Sequence, residues 1–170
     1  MSVLLTAGKI GVVALAGLYA AGLMVGPSIS TQVEISAPVD AVWRTLTQGD
    51  AYPEWNPFVK HLSGDLVVGS HLDVLIQPEG GKAMRFRPEV LAADQNSELR
   101  WVGKLGFRGV FDGEHYFLLE ETPEGTTVLR HGETFRGLLA YPLLALIRQD
   151  TLDGFVRMNQ ALKQRAERMV

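Results

Sequence analysis

Between residues 59 and 136 the apolar pattern repeats every two residues, and from Tyr141 to about Met169 it repeats at helical spacing. That succession restricts the fold more than any other feature of the chain. A run of antiparallel strands offers one apolar face and an amphipathic helix one apolar stripe, and each is buried most simply against the other. Gly, Pro, Asp and Asn cluster at 63–65, 78–81, 94–97, 103–106 and 122–125 and divide the first stretch into about six strands of a meander. Leu72, Val74 and Ile76 share a face of one strand, Phe86, Pro88 and Val90 of a second, and Leu99 and Trp101 of a third. On the helix, Phe155, Asn159, Leu162, Ala166 and Met169 form the stripe, with Lys163, Arg165, Glu167 and Arg168 off it.

Ahead of the meander, TQVEIS at 31–36 alternates as a strand does. Pro38 then suits the first position of a helix, PVDAVWRTLT, which places Val39, Val42, Trp43 and Leu46 together. In AYPEWNPF two prolines rule out a long helix, and Tyr52, Trp55 and Phe58 read as an aromatic cap. The expectation is an α+β fold: a curved antiparallel sheet of about seven strands around a long C-terminal helix, plus an N-terminal apolar helix.

Composition matters chiefly by position. Residues 1–27 hold 18 apolar residues and one charge, Lys9, and IGVVALAGLYAAGLMV at 10–25 has no charge at all. As a helix this run would be about 24 Å long, slightly short of a bilayer's apolar core. Three readings compete for it: an uncleaved single-pass anchor, a secretory signal peptide cut near Ala20-Ala21-Gly22, and a buried helix of the domain. The anchor is preferred, which divides the chain into 1–27 and 28–170 and, with Lys9 inside, puts the domain on the outer face. Secretion after signal cleavage is the alternative location.

Several chemistries drop out. Sixteen Lys and Arg against 19 Asp and Glu give a net charge of -3, with no basic footprint for nucleic acid. The absence of cysteine removes thiol nucleophiles and Cys-ligated metals. There is no G-x-S-x-G elbow, and Gly103, Gly106 and Gly109 lie between strands, not between a strand and a helix as a phosphate loop requires. No cofactor is expected.

The element order, with VDAVWRTLT, YPEWNPF, LRWVG, GVFDGEHYF, TTVLRHGETFRG and FVRMNQALKQRAE in sequence, resembles the SRPBCC or START-like superfamily, whose helix-grip fold is that of the birch-pollen allergen. More narrowly the chain is similar to the polyketide cyclase/dehydrase-type branch found in many bacteria, over about residues 30–168. The resemblance implies a ligand cavity between sheet and helix; one fold hosts many activities, so it implies no single reaction.

Candidate site residues come from the hairpin Gly109–Phe135. With Glu120 opposite Thr126, Phe111 faces Phe135, Gly113 faces Glu133, His115 faces His131 and Phe117 faces Leu129, all on the inward side. Two imidazoles and a carboxylate would then meet in an apolar interior. Four roles are open to His115, His131 and Glu133: mutual hydrogen bonding that fixes the sheet, hydrogen bonding to a ligand, acid/base catalysis, and metal binding. Metal is the weakest, since three ligands on two strands show no H-x-H or H-x-x-x-H spacing. Phe111, Phe117, Phe135, Trp101 and Phe86 would line the cavity, Trp55 and Asn56 its mouth, and Asn159 interrupts the helix stripe as a buried amide needing a partner. The preferred function is a membrane-tethered binding module holding a hydrophobic small molecule, such as a lipid, isoprenoid or polyketide-like compound. The alternative is a polyketide cyclase/dehydratase-like enzyme in which His115, His131 or Glu133 moves protons.

Overall fold

The computed structural model describes residues 26–170. In chain order it contains β1 (Ser28–Ile35), α1 (Val39–Thr47), a short 3-10 turn (Gly49–Ala51), α2 (Tyr52–Trp55), β2 (Val59–Ser63), β3 (Asp73–Ile76) and β4 (Met84–Phe86). There follow β5 (Glu89–Asp94), β6 (Glu98–Lys104), β7 (Asp112–Glu121), β8 (Thr127–Arg136) and α3 (Ala140–Glu167). The class is α+β, and the long C-terminal helix is present.

The strands form two antiparallel sheets, β1-β8-β7-β6-β5 and β2-β3-β4, instead of one sheet of about seven. Pro88 marks the division. The stretch expected as one strand through Phe86, Pro88 and Val90 is split, with Phe86 ending β4 and Val90 in β5. Proline has no N–H to give a ladder, so a strand tends to break there. The sheets still meet at a corner: Leu72 N–H donates to Pro88 O at 2.9 Å and Val90 N–H to Ser70 O at 2.8 Å.

Alternation in β7 and β8 turns Phe117, Leu119, Leu129 and Phe135 inward, where all are buried. Against them α3 lays Phe155, Met158, Leu162 and Ala166, and α1 adds Ala41, Val42 and Leu46. Met158 joins the stripe and Met169, beyond the end of α3, is about half exposed.

The β7–β8 register differs from the expected one by two residues. Thr122 N–H donates to Thr126 O at 2.8 Å and Gly125 N–H to Thr122 O at 3.0 Å, so the loop is Pro123-Glu124-Gly125. Gly125 has φ +77°, the left-handed residue that a three-residue hairpin loop needs. Closure at Thr122 and Thr126 sets His115 opposite Glu133 and Phe117 opposite His131. A shift of two keeps every side chain on its face, whereas a shift of one would have reversed them all.

The membrane expectation is corrected. Among the described residues no helix is long and apolar enough to cross a membrane. At 28 residues α3 has the length, but it carries Arg148, Asp150, Asp153, Arg157, Lys163, Arg165 and Glu167. The apolar run at 10–25, on which the anchor, the N-terminal helix and the signal-peptide alternative all rested, lies outside the described residues. The single-pass anchor, the membrane as a partner, the outer-face location and the membrane-tethered binding module are therefore set aside.

Candidate active site

Three strands and one helix bring the polar groups together, with Thr31 from β1. His115 comes from β7, His131 and Glu133 from β8, and Asn159 from the buried stripe of α3. His131 is fully buried, His115 and Asn159 almost so. His115 Nε2 and His131 Nε2 are 2.8 Å apart, and His131 Nδ1 is 2.7 Å from Asn159 Oδ1. Asn159 Nδ2 donates to Thr31 Oγ1 at 2.8 Å, and Thr31 Oγ1 donates to His131 O at 3.0 Å. At the other end, His115 Nδ1 lies 3.7 Å from Glu133 Oε2. A polar chain thus runs Glu133–His115–His131–Asn159–Thr31 through an apolar interior. The two histidines are diagonal neighbours across the strands, not directly opposed.

Aromatic rings enclose that chain. His131 stacks between Phe117 and Phe155, with ring centroids 4.4 and 4.1 Å away. His115 stacks on Trp101 at 5.0 Å and meets Phe155 edge-on. These rings pack between sheet and helix at this level. Burial, and then the neighbouring imidazole of His115, hold the His131 pKa well below the ordinary histidine range, although the Asn159 hydrogen bond opposes the shift. His131 is neutral at physiological pH.

Glu133 is one open end of the chain, and Thr31 at the other is also only partly buried. About a fifth of the Glu133 side chain is exposed, against 4% for His115. Glu133 occupies room left by Gly113, where an added Cβ would overlap Glu133 Oε1. Phe135 lies close to the same position, stacked on Phe111 at 5.2 Å, and Phe111 is only partly buried. A group that approaches the chain at this end meets the carboxylate and this phenyl pair.

The expected mouth residues lie elsewhere. Asn56 is 2% exposed, and its Oδ1 accepts from the Phe58 and Val59 N–H groups at 2.9 Å each, which fixes the turn from α2 into β2. Trp55 is partly buried and packs edge-on against Tyr52. Phe86 sits in β4, on the smaller sheet, paired with Val74. None of the three makes a ring contact or hydrogen bond to the histidines among the described residues. Two participants escape a reading of the motifs: Thr31, whose parity with Ile29, Val33 and Ile35 does point it inward, and Phe155, which helical spacing marks only as core.

A cleft lies on the other face of the sheet. It has a volume of about 400 Å³ and is lined by Val102, Glu114, Thr134 and Arg136 among others, all of outward parity. Its walls are charged: Glu114 carries Arg100 at 2.6 Å and Arg136 at 3.5 Å. Volume and buried chemistry therefore part company, and the buried chain has the more unusual groups. No group of three or more His, Asp or Glu among the described residues is disposed to hold a metal, and His115 Nε2 is already committed to His131.

Comparison with solved structures places the fold. A protein from Mesorhizobium loti, MLL2253, is 24% identical with a TM-score of 0.64, covering 85% of this chain and 99% of its own. A START superfamily protein from Mycobacterium smegmatis is 21% identical with a TM-score of 0.62, covering 84% and 99%. The di-domain ARO/CYC StfQ from the steffimycin biosynthetic pathway is 16% identical with a TM-score of 0.63, covering 84% of this chain and 51% of its own. Among curated proteins none matches. The family described as polyketide cyclase/dehydrase and lipid transport matches residues 27–167, nearly the whole of the described fold. The chain belongs to that family, within the START-like helix-grip superfamily.

Proposed function

We propose that the chain is an enzyme of the cyclase/dehydratase type, moving protons on a hydrophobic carbonyl compound with His115 and Glu133 as its acid/base pair. One observation carries this reading: a buried imidazole, held from behind by a second one, faces a partly exposed carboxylate at 3.7 Å. Cyclisation and dehydration, both in the family's description, each begin with loss of a proton from carbon next to a carbonyl. A carboxylate–imidazole pair suits that step.

In a cyclisation the pair takes an α-proton, the enolate carbon bonds to a second carbonyl of the same molecule, and the pair returns the proton to the alkoxide. In the dehydration that follows, the pair removes a remaining α-proton and hydroxide leaves, protonated to water. Phe111, Phe135 and Trp101 supply apolar surface beside Glu133 and His115. His131 stays neutral and holds His115 in place.

The test supplies a poly-β-keto thioester to the full-length protein and follows cyclised and dehydrated products by mass spectrometry. His115→Ala and Glu133→Gln should each slow product formation by about 100-fold or more, the usual contribution of a positioned acid or base. Turnover at the wild-type rate in both variants would overturn the assignment.

A further inference from the structure

The hydrogen-bond chain has a direction, and one group sets it. A backbone carbonyl can only accept, so the single hydroxyl proton of Thr31 goes to His131 O. Its oxygen is then left to accept, and the atom of Asn159 facing it must be the NH2 group. The carbonyl oxygen of Asn159 therefore faces His131, and Nδ1 of His131 must donate to it. Because His131 is neutral, that nitrogen carries its one proton and Nε2 accepts. His115 must then carry a proton on Nε2, whatever its charge. Of the four ring nitrogens of His115 and His131, one remains uncommitted: His115 Nδ1, the one facing Glu133.

We propose that Thr31 and Asn159 are positioning residues that lock the tautomers of both histidines and confine proton exchange to His115 Nδ1 and Glu133. The inference deepens the acid/base reading given above and rests on it for its purpose, but not for its geometry. Without the Thr31 hydroxyl nothing distinguishes the two ends of the Asn159 amide, and the chain can run either way. In the reversed sense Asn159 donates to His131, His131 Nε2 donates to His115 Nε2, and a neutral His115 carries its proton on Nδ1. That imidazole could no longer accept a proton from Glu133 or a substrate. Thr31 lies directly opposite His131 in the β1–β8 register, so its hydroxyl is held where the choice is made.

The experiment uses full-length protein carrying 15N-labelled histidine and reads each ring's tautomer from long-range 1H–15N correlations, in wild type, Thr31→Val and Thr31→Ser. The wild type should show His131 protonated at Nδ1 and His115 at Nε2. Thr31→Val should lose that single pattern and Thr31→Ser regain it. A wild-type His131 protonated at Nε2 would overturn the proposal by itself, even if the variants fail to fold; so would an unchanged pattern in folded Thr31→Val. With the thioester probe, kcat should fall about tenfold in Thr31→Val with KM little changed, and recover in Thr31→Ser. If the tautomers are as stated but the wild type turns over no carbonyl substrate, the enzyme reading fails and the tautomer lock stands.

Discussion

His131 is a polar ring with no exposed surface, stacked between two phenyl rings and hydrogen-bonded through both nitrogens. Its neutrality has a price in acid. In the unfolded chain it takes up a proton near pH 6.5, whereas in the fold burial and His115 keep it unprotonated to well below that. The folded state is therefore unpenalised above about pH 6.5 and loses stability as pH falls below it. The loss is about 1.4 kcal/mol per pH unit until the folded-state pKa is reached. In urea titrations at about pH 7 and pH 5, His131→Phe should shrink the difference in stability between the two pH values. It should also cost about 1–3 kcal/mol at neutral pH, because Asn159 Oδ1 and His115 Nε2 lose their partner. A pH dependence equal to that of the wild type would contradict this account of His131. The inward placement of His115 and His131 was legible from strand alternation, and that of Asn159 from helical spacing. Which of them touch was not: the contact depends on a loop closing at Thr122 and Thr126, not at Glu120 and Thr126, a choice of two residues that alternation cannot see.

Among the elements, α3 shows where spacing suffices and where it does not. The stripe Phe155, Asn159, Leu162 and Ala166 is buried as helical spacing requires, but Gly154 is buried too, and for a reason no pattern announces. A Cβ on it would overlap the ring of Phe58, which packs edge-on against Phe155 at 5.8 Å. Gly154→Ala would gain about 1 kcal/mol of helix propensity. Overpacking against an immobile ring costs about 1–3 kcal/mol and should win. Thermal unfolding should therefore show a lower Tm for the variant; a higher Tm would mean that Phe58 gives way freely. The strands teach a similar lesson. Their existence follows from period two and turn residues, but the break at Pro88 puts Phe86 and Val90 in different sheets. Apolar alternation runs through the proline unbroken, so only long-range pairing reveals the division.

At the scale of the whole molecule, the order of elements and the motifs along them were enough to place the chain in its family, because a curved antiparallel surface and one long helix leave few ways to bury both. The polar cluster was legible only in part, since Trp55, Asn56 and Phe86 lie elsewhere and Thr31 and Phe155 join it. His115, His131, Glu133 and Asn159 were identifiable, whereas the packing of the aromatics around them and the direction imposed by Thr31 arise from β1, β6, β7, β8 and α3, elements distant in sequence. What the assembled molecule provides is one partly exposed carboxylate at the edge of an apolar interior, backed by an imidazole whose other nitrogen is occupied. The most direct test asks whether that pair moves a carbon-bound proton at all. Propiophenone, an apolar aryl ketone whose α-protons exchange slowly in neutral water, can be incubated with the full-length protein in D2O and deuterium uptake followed by NMR. Exchange faster than the spontaneous rate, returned to that rate by His115→Ala and by Glu133→Gln, is the predicted result. Uncatalysed exchange with the wild type, or catalysis that survives both substitutions, would contradict it.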